Sequence, residues 1–253
     1  GGYDDVREAD ITVITAGANQ KPGETRLDLV KRNLAILRDV VGRIVSGGNN
    51  GIILVVANPV DVLSYAAWKL SGWSAARVIG SGTILDTARF RHHIGRHFGV
   101  DPRSVHAYIV GEHGDSEVAV WSSATIGNVP LEQFEAYDQA VLERIFEDTR
   151  TAAYQIINRK RATYYAIGLG VTRIVAAILH DQRSVLSVST LLEGEYGVED
   201  VYLSLPCVVG AGGVLARLTP PINDEERAGL QASARVLRTT LADVGLLEKE
   251  LQS

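Results

Sequence analysis

The stretch Ile109-Val110-Gly111-Glu112-His113-Gly114-Asp115-Ser116 sets one histidine between two glycines, with acids on both sides. Histidine ordinarily titrates near neutrality, at about 6.5, so it can both take and give a proton. The glycines interrupt the apolar run from Val105 to Val110 and hold the ring by backbone without walling it in. Taken alone, His113 reads more readily as an ordinary turn histidine than as a catalytic one. Asp86 and Arg89 stand three residues apart, so on a helix they share a face. They form either an intrahelical ion pair or an acid and a cation aimed at a ligand. Arg91 lies about 200° around the same helix from Arg89 and addresses other surroundings. Arg26 follows a loop broken by Pro22 and Gly23 and by itself is a surface charge. Asn58, before Pro59, closes an apolar run, where open α/β sheets place their ligands, although a simple turn asparagine fits as well. Cys207 is the only cysteine, so no internal disulfide exists. Behind Leu203-Ser-Leu-Pro206 it reads as a buried thiol in a reducing compartment.

These residues need elements to position them. Asp10 to Gly17 and Gly51 to Ala57 are β-rich apolar runs, read as buried parallel strands, and Val78-Ile79 is a shorter one. Between them, Val30, Leu34, Leu37, Val41 and Ile44 recur at helical spacing from Arg26 to about Ser46, and Val60 to Leu70 is a second helix. Gly80-Ser-Gly82 is a turn. Thr83 is a cap candidate for a helix running to about Phe98, with Asp86 in its first turn. Strand–helix alternation with strands apolar on both faces indicates a parallel sheet covered by helices. The pattern changes after Gly114. Val118 to Ile126 looks antiparallel, Leu131 to Lys160 and Tyr164 to Leu179 are helical, and Val185 to Thr190 and Val201 to Leu205 alternate. Val214 to Leu218 follows a glycine turn, and Asp224 to Val244 is a closing helix. A boundary near Ser81 divides the chain into residues 1–81 and 82–253.

With 253 residues, 46% hydrophobic and 22% charged, the composition is that of an ordinary globular protein of one large domain or two modest ones. The net charge of −5 is spread without a basic run that would suit nucleic acid or an anionic membrane. No apolar stretch reaches the ~18 residues of a membrane span. No secretion leader is visible at Gly1-Gly2, so a cytoplasmic location is expected.

Together the motifs carry a resemblance. Thr15-Ala-Gly-Ala-Asn-Gln-Lys-Pro-Gly-Glu-Thr-Arg-Leu27, Asn58-Pro-Val-Asp61, Gly80-Ser-Gly-Thr-Ile-Leu-Asp-Thr-Ala-Arg-Phe-Arg91 and Gly111-Glu-His-Gly-Asp-Ser116 stand in the same order as in the 2-hydroxy-acid dehydrogenases of the lactate/malate family. The chain resembles that family, on its bacterial L-lactate side, from about Tyr3 to Val244. The resemblance implies a doubly wound, Rossmann-type parallel sheet followed by an α+β catalytic domain. It implies NAD as cofactor, pyruvate and L-lactate as substrates, a homotetramer and no metal. It implies that His113 exchanges the proton, that Asp86 orients it, and that Arg89 holds the substrate carboxylate. Arg26 polarises the carbonyl, Asn58 bonds the reacting oxygen, and Gln20 and Thr163 lie beside the substrate. Gly17, Ala18, Val56, Ala57, Asn58 and Ser81 border the cofactor. Arg91 and His106 are implied to bind an allosteric fructose 1,6-bisphosphate between subunits. Otherwise Arg91 is a solvated helix charge and His106 a packed strand residue.

The chain also departs from the family. The Gly-x-Gly-x-x-Gly turn that seats the pyrophosphate is absent, as is the acid that holds the adenosine ribose. Gly210 to Gly213 lacks the strand–turn–helix setting of such a turn. The chain has no methionine, even at position 1. It is therefore expected to lack about two strand–helix units, on the order of 60 residues, which would leave the sheet incomplete with its edge and apolar faces exposed. A malate dehydrogenase of the same family and a non-catalytic fragment without a cofactor seat are the rival readings.

Overall fold

The structure, a computed structural model, describes residues 2–18, 23, 25–160 and 165–247, and of residues 26 and 153–160 the backbone alone. One six-stranded sheet runs in the order β1 (Ile11–Ile14), β2 (Ile52–Val55), β3 (Val78–Gly80), β7 (Ser184–Glu193), β8 (Glu199–Gly210) and β9 (Gly213–Arg217), and β4 (Val105–Val110), β5 (Val118–Ile126) and β6 (Val129–Pro130) form a second, three-stranded sheet. The strands β1 (Ile11–Ile14), β2 (Ile52–Val55) and β3 (Val78–Gly80) are parallel, with Ile11 beside Ile52 and Ile53 beside Val78. Helices α1 (Arg26–Ser46) and α2 (Val60–Ser71) connect them. This is the expected strand–helix alternation, with β2 buried along its whole length. Strand β1 departs from the expectation of a buried strand. It is an outer strand of the described sheet, only Ile14 is buried, and Val13 is 36% exposed.

Helix α1 begins where the sequence provides a reciprocal cap. The Thr25 hydroxyl accepts from Asp28 N–H while the Asp28 carboxylate accepts from Thr25 N–H. The α1 stripe Val30, Leu34, Leu37, Val41 and Ile44 is buried, as its spacing predicts. Helix α3 (Ile84–Phe98) starts after Thr83, but the Thr83 hydroxyl does not cap it. It donates instead to the Ile109 carbonyl at 2.6 Å, because it is buried against the neighbouring strand, whose carbonyl it can reach. That strand, β4 (Val105–Val110), pairs antiparallel with β5 (Val118–Ile126), which pairs with the short β6 (Val129–Pro130). The helix expected from Leu131 begins only at Gln139. A short 3-10 turn over Leu131–Gln133 comes first, and the Asp138 carboxylate then accepts from Ala140 N–H and Val141 N–H to open α4 (Gln139–Lys160).

After α5 (Tyr165–Leu179), β7 (Ser184–Glu193), β8 (Glu199–Gly210) and β9 (Gly213–Arg217) form an antiparallel meander, and α6 (Asp224–Asp243) ends the described fold. The expected alternation of β7 and β8 is real in sequence, but it does not separate core from solvent: Ser187, Ser189 and Ser204 are as buried as their apolar neighbours. Gly80 pairs with Ser189, which joins the meander to the parallel strands across the expected boundary near Ser81. One apolar core spans both halves, from Val30 and Ile53 to Leu203 and Leu237. A smaller core around Phe90, Ile109 and Leu142 lies beneath the second sheet. Gly210 to Gly213 forms the β8–β9 turn. Cys207 is fully buried, as its sequence setting suggests, and burial pushes its thiol up to about 12. Among the described residues no helix is long and apolar enough to cross a membrane.

Candidate active site

His113 sits in the break between β4 and β5, and three consecutive backbone N–H groups fix that break from three different elements. Gly111 N–H donates to the Ser204 carbonyl on β8 at 3.0 Å. Glu112 N–H donates to Ser233 Oγ on α6 at 2.8 Å. His113 N–H donates to Asp61 Oδ2 on α2 at 2.8 Å. Gly111 has φ 91°, and a Cβ there would approach Ser233 Oγ to 3.0 Å. Glycine is required at this position because other residues rarely adopt that backbone conformation and the space is taken. Ser204 also receives Thr83 N–H, and Ser187 donates to the Ile109 carbonyl. The hydroxyl face of β7 and β8 is thus a platform on which α3 and the histidine break rest.

The imidazole meets α3. His113 Nδ1 lies 2.6 Å from Asp86 Oδ2, and Arg89 Nη1 donates to Asp86 Oδ1 at 3.1 Å. The side chain of Asp86 is only 5% exposed and that of His113 25%. Burial works against the charge on Asp86, but the charge and hydrogen bond of His113, with Arg89, prevail and hold its carboxyl below the usual range. Burial likewise works against a protonated His113. Asp86, with Asp61 and Glu117 adding to it, reverses that and raises the imidazole to about 9. A histidine kept as a cation by a buried carboxylate, and still partly open to solvent, can donate a proton and recover it.

The open side of His113 faces a cleft of about 580 Å³. Gly17, Ala18, Val56, Ala57, Asn58 and Ser81 all line this cleft with His113, as do Ile167 and Val171 of α5. The six residues that the sequence assigns to the cofactor therefore come together beside the proposed acid. A Cβ on Gly17 would stand 3.2 Å from Ala57 Cβ, so bare backbone forms this part of the wall. Small residues and apolar side chains around one proton donor fit the nicotinamide end of the expected dinucleotide. The Asn58 Oδ1 accepts from Val60 N–H at 3.3 Å, which leaves its amide nitrogen as the donor available to a ligand.

Other expected residues are placed less fully. Arg26 opens α1, and Gln20 and Thr163 lie outside the described residues. Arg91, on α3, packs against β4, the strand that carries His106. The Arg91 Nε donates to the Ala107 carbonyl at 2.8 Å and its guanidinium lies 4.7 Å from the Tyr108 ring centre. Arg91 is thus partly buried and His106 exposed, the reverse of a solvated arginine and a packed histidine.

Three further residues serve the site without a role assigned from the sequence. Asp61, within the Asn58-Pro-Val-Asp61 motif, accepts from Ser189 Oγ at 2.6 Å as well as from His113 N–H. Asn33 accepts from Ala18 N–H at 2.7 Å and donates to the Asn58 carbonyl at 2.8 Å, clasping the two strand ends that border the cleft. A polar residue beside Val30 and Leu34 on the buried side of α1 was its only trace in the sequence. Glu117 lies with Asp86 and His113 so that one ligand atom from each falls within 4.8 Å of the others. Such a trio could hold a metal ion, but both Asp86 oxygens already accept from His113 and Arg89.

Comparison with known proteins agrees with this arrangement. Residues 1–80 match the lactate/malate dehydrogenase NAD binding domain, and residues 83–246 the alpha/beta C-terminal domain of the same family. The chain is 52% identical over 248 residues to an L-lactate dehydrogenase of Bacillus caldolyticus, covering 96% of this chain and 78% of that protein. The likeness to an L-lactate dehydrogenase of Geobacillus stearothermophilus has the same extent. Among solved structures, the minor L-lactate dehydrogenase of Enterococcus mundtii in its ligands-bound form superposes with a TM-score of 0.95 at 46% identity, covering 98% of this chain and 80% of that one. A lactate dehydrogenase from a deep-sea metagenome of the Medee basin gives a TM-score of 0.94 at 48% identity, covering 96% and 79%.

Proposed function

The chain belongs to the lactate/malate dehydrogenase family, and on that premise we propose that His113, Asp86 and Arg89 carry out the interconversion of pyruvate and L-lactate. The protein is an NAD-dependent oxidoreductase with L-lactate dehydrogenase activity. The nicotinamide group, when bound, supplies or receives the hydride. His113 provides the balancing proton to the carbonyl oxygen during pyruvate reduction and takes the hydroxyl proton in reverse. Asp86 keeps the imidazole oriented and charged until that proton leaves. Arg89 holds the substrate carboxylate as a bidentate partner. Asn58 hydrogen-bonds the reacting oxygen, Arg26 polarises it, and Gln20 and Thr163 border the substrate. Gly17, Ala18, Val56, Ala57, Asn58 and Ser81 bound the space for the cofactor. Residues 1–81 form the cofactor half and residues 82–253 the catalytic half. The working molecule is a cytoplasmic homotetramer in pyruvate fermentation, with fructose 1,6-bisphosphate bound at Arg91 and His106.

The observation that carries this reading is the 2.6 Å contact between His113 and Asp86, placed where the imidazole opens on the cleft. Gln20 is neutral where the malate enzymes of the family carry an arginine. It offers room for a methyl group and no charge for a second carboxylate. The full-length protein is expected to show a higher kcat/KM for pyruvate than for oxaloacetate, and Gln20→Arg moves the preference toward oxaloacetate. His113→Gln lowers kcat by about 10²–10⁴-fold while NADH still binds, as its fluorescence reports. A native preference for oxaloacetate, or near-native turnover by His113→Gln, refutes the assignment.

A further inference from the structure

Glu117 is a carboxyl that the mechanism does not use. It precedes β5, and its backbone N–H donates to the Gly114 carbonyl at 3.2 Å, closing the turn that contains His113. The residue is only 7% exposed, and its Oε1 has no hydrogen-bond partner among the described residues. A buried carboxylate without a donor is costly, and the neutral acid is the cheaper form. The surroundings add to this. Asp86 on α3 is a like charge, with one oxygen, one oxygen of Glu117 and one ring nitrogen of His113 all within 4.8 Å of one another, and it is already paired with Arg89. The cations that face Glu117 are His113, Arg89 on α3 and Arg150 on α4. Arg89 is committed to Asp86, and Arg150 to Glu147 at 2.7 Å and the Asp115 carbonyl at 3.2 Å. Asp61 on α2 faces His113 from another side. Of the groups that face Glu117, His113 is the one that changes charge in the same alkaline range.

We propose that Glu117 is a positioning residue for the acid–base step: its ionisation beside His113 sets how far into alkaline pH the imidazole keeps the proton that pyruvate reduction consumes. The proposal deepens the role given to His113 and rests on it. The coupling is reciprocal. A negative Glu117 favours the imidazolium, and an imidazolium eases the ionisation of Glu117. Once His113 has given up its proton, Glu117 faces burial and the Asp86 charge without that counter-charge, and its ionisation is less favoured. Burial first, and then Asp86, raise Glu117 to about 8, against the pull of His113, Arg150 and Arg89. The carboxyl therefore changes charge just below the pH at which His113 itself titrates, near 9.

The test has two independent readouts. In the protein, the Cε1–H resonance of His113, identified by its loss in His113→Gln, is titrated in wild type and in Glu117→Gln. The midpoint is expected to fall by about one pH unit in the variant, the scale of one nearby buried charge. An unmoved midpoint overturns the proposal. In the full-length protein, the alkaline limb of kcat/KM for pyruvate moves toward acid by the same amount, with kcat near wild type at acid pH. A purely structural role would instead lower activity at every pH and leave the limb in place, which also overturns the proposal. If Glu117→Gln does not fold, the wild-type resonance decides: two inflections support the coupling and a single one removes it. Failure of the full-length protein to reduce pyruvate at any pH refutes the dehydrogenase reading, whereas the resonance titration judges Glu117 separately.

Discussion

Asp61 is the residue on which the backbone position of His113 depends. It is buried, and its two oxygens accept from Ser189 and from His113 N–H. Burial outweighs those hydrogen bonds and raises its carboxyl from 3.8 to about 6. The folded state therefore holds this proton more tightly than the unfolded chain. The resulting stabilisation is complete below 3.8 and is lost as pH rises through about 6. Asp61→Asn keeps an acceptor for His113 N–H and has no proton to lose. Measured by urea unfolding, the stability of the variant relative to wild type is expected to improve between pH 4.5 and pH 7; a difference that stays constant or moves the other way contradicts the assignment. The sequence could name His113, Asp86 and Arg89 because each lies in a short local motif. It could not give Asp61 its role, because the partners of Asp61 stand 52 and 128 residues away along the chain. Glu117 escaped notice for a related reason, since its significance comes from a hydrogen bond that is missing once the chain has folded.

At the scale of elements, the site is an interruption between two strands held by three supports, one each from α2, α6 and β8. The supports act on backbone, so a change of shape at Gly111 reaches His113 without altering any group that does chemistry. Gly111→Ala introduces a Cβ at φ 91°, against Ser233. It is expected to cost about 1–3 kcal/mol of stability and to lower kcat more than it raises KM, because the proton donor moves relative to bound substrate. Equilibrium unfolding beside steady-state kinetics checks this; a stable variant with native kcat would mean that the loop tolerates the new conformation. Helices α1, α2, α3, α5 and α6 and the strands other than the two-residue β6 were visible in the apolar periodicity, because one repeated face or one apolar run decides them. The start of α4 was not. Leu131 continues the apolar pattern, yet it is buried ahead of the helix, and Asp138 supplies the cap that fixes the real beginning. Thr83 failed as a cap for the complementary reason: a buried carbonyl on β4 takes its hydroxyl.

At the scale of the whole molecule, the six-stranded sheet and the shared core make the two halves of the chain one mechanical body. A disturbance at α3 can therefore reach the cleft through the same packing that holds Asp86. Helix α3 presents Asp86 and Arg89 to the site and Arg91 to the opposite surroundings, where the exposed His106 lies on the adjacent β4. Burial lowers the hold of Arg91 on its proton, and repulsion from Arg173 of α5 adds to it against the pull of Tyr108. An anion placed there relieves that repulsion, and α5 also carries Ile167 and Val171 of the cleft wall. A bisphosphate that bridges two copies of this surface would favour the assembled arrangement and pass its effect along α3 and α5. The expected result for the full-length protein is a lower half-saturating pyruvate concentration with fructose 1,6-bisphosphate present, together with a shift toward the larger assembly in sedimentation. Arg91→Gln removes both effects and leaves the maximal rate at saturating pyruvate near wild type, because Arg91 does not touch Asp86 or the cleft. If the wild-type protein responds in neither pyruvate affinity nor assembly, the allosteric role of Arg91 and His106 is wrong while the assignments of His113, Asp86 and Arg89 stand.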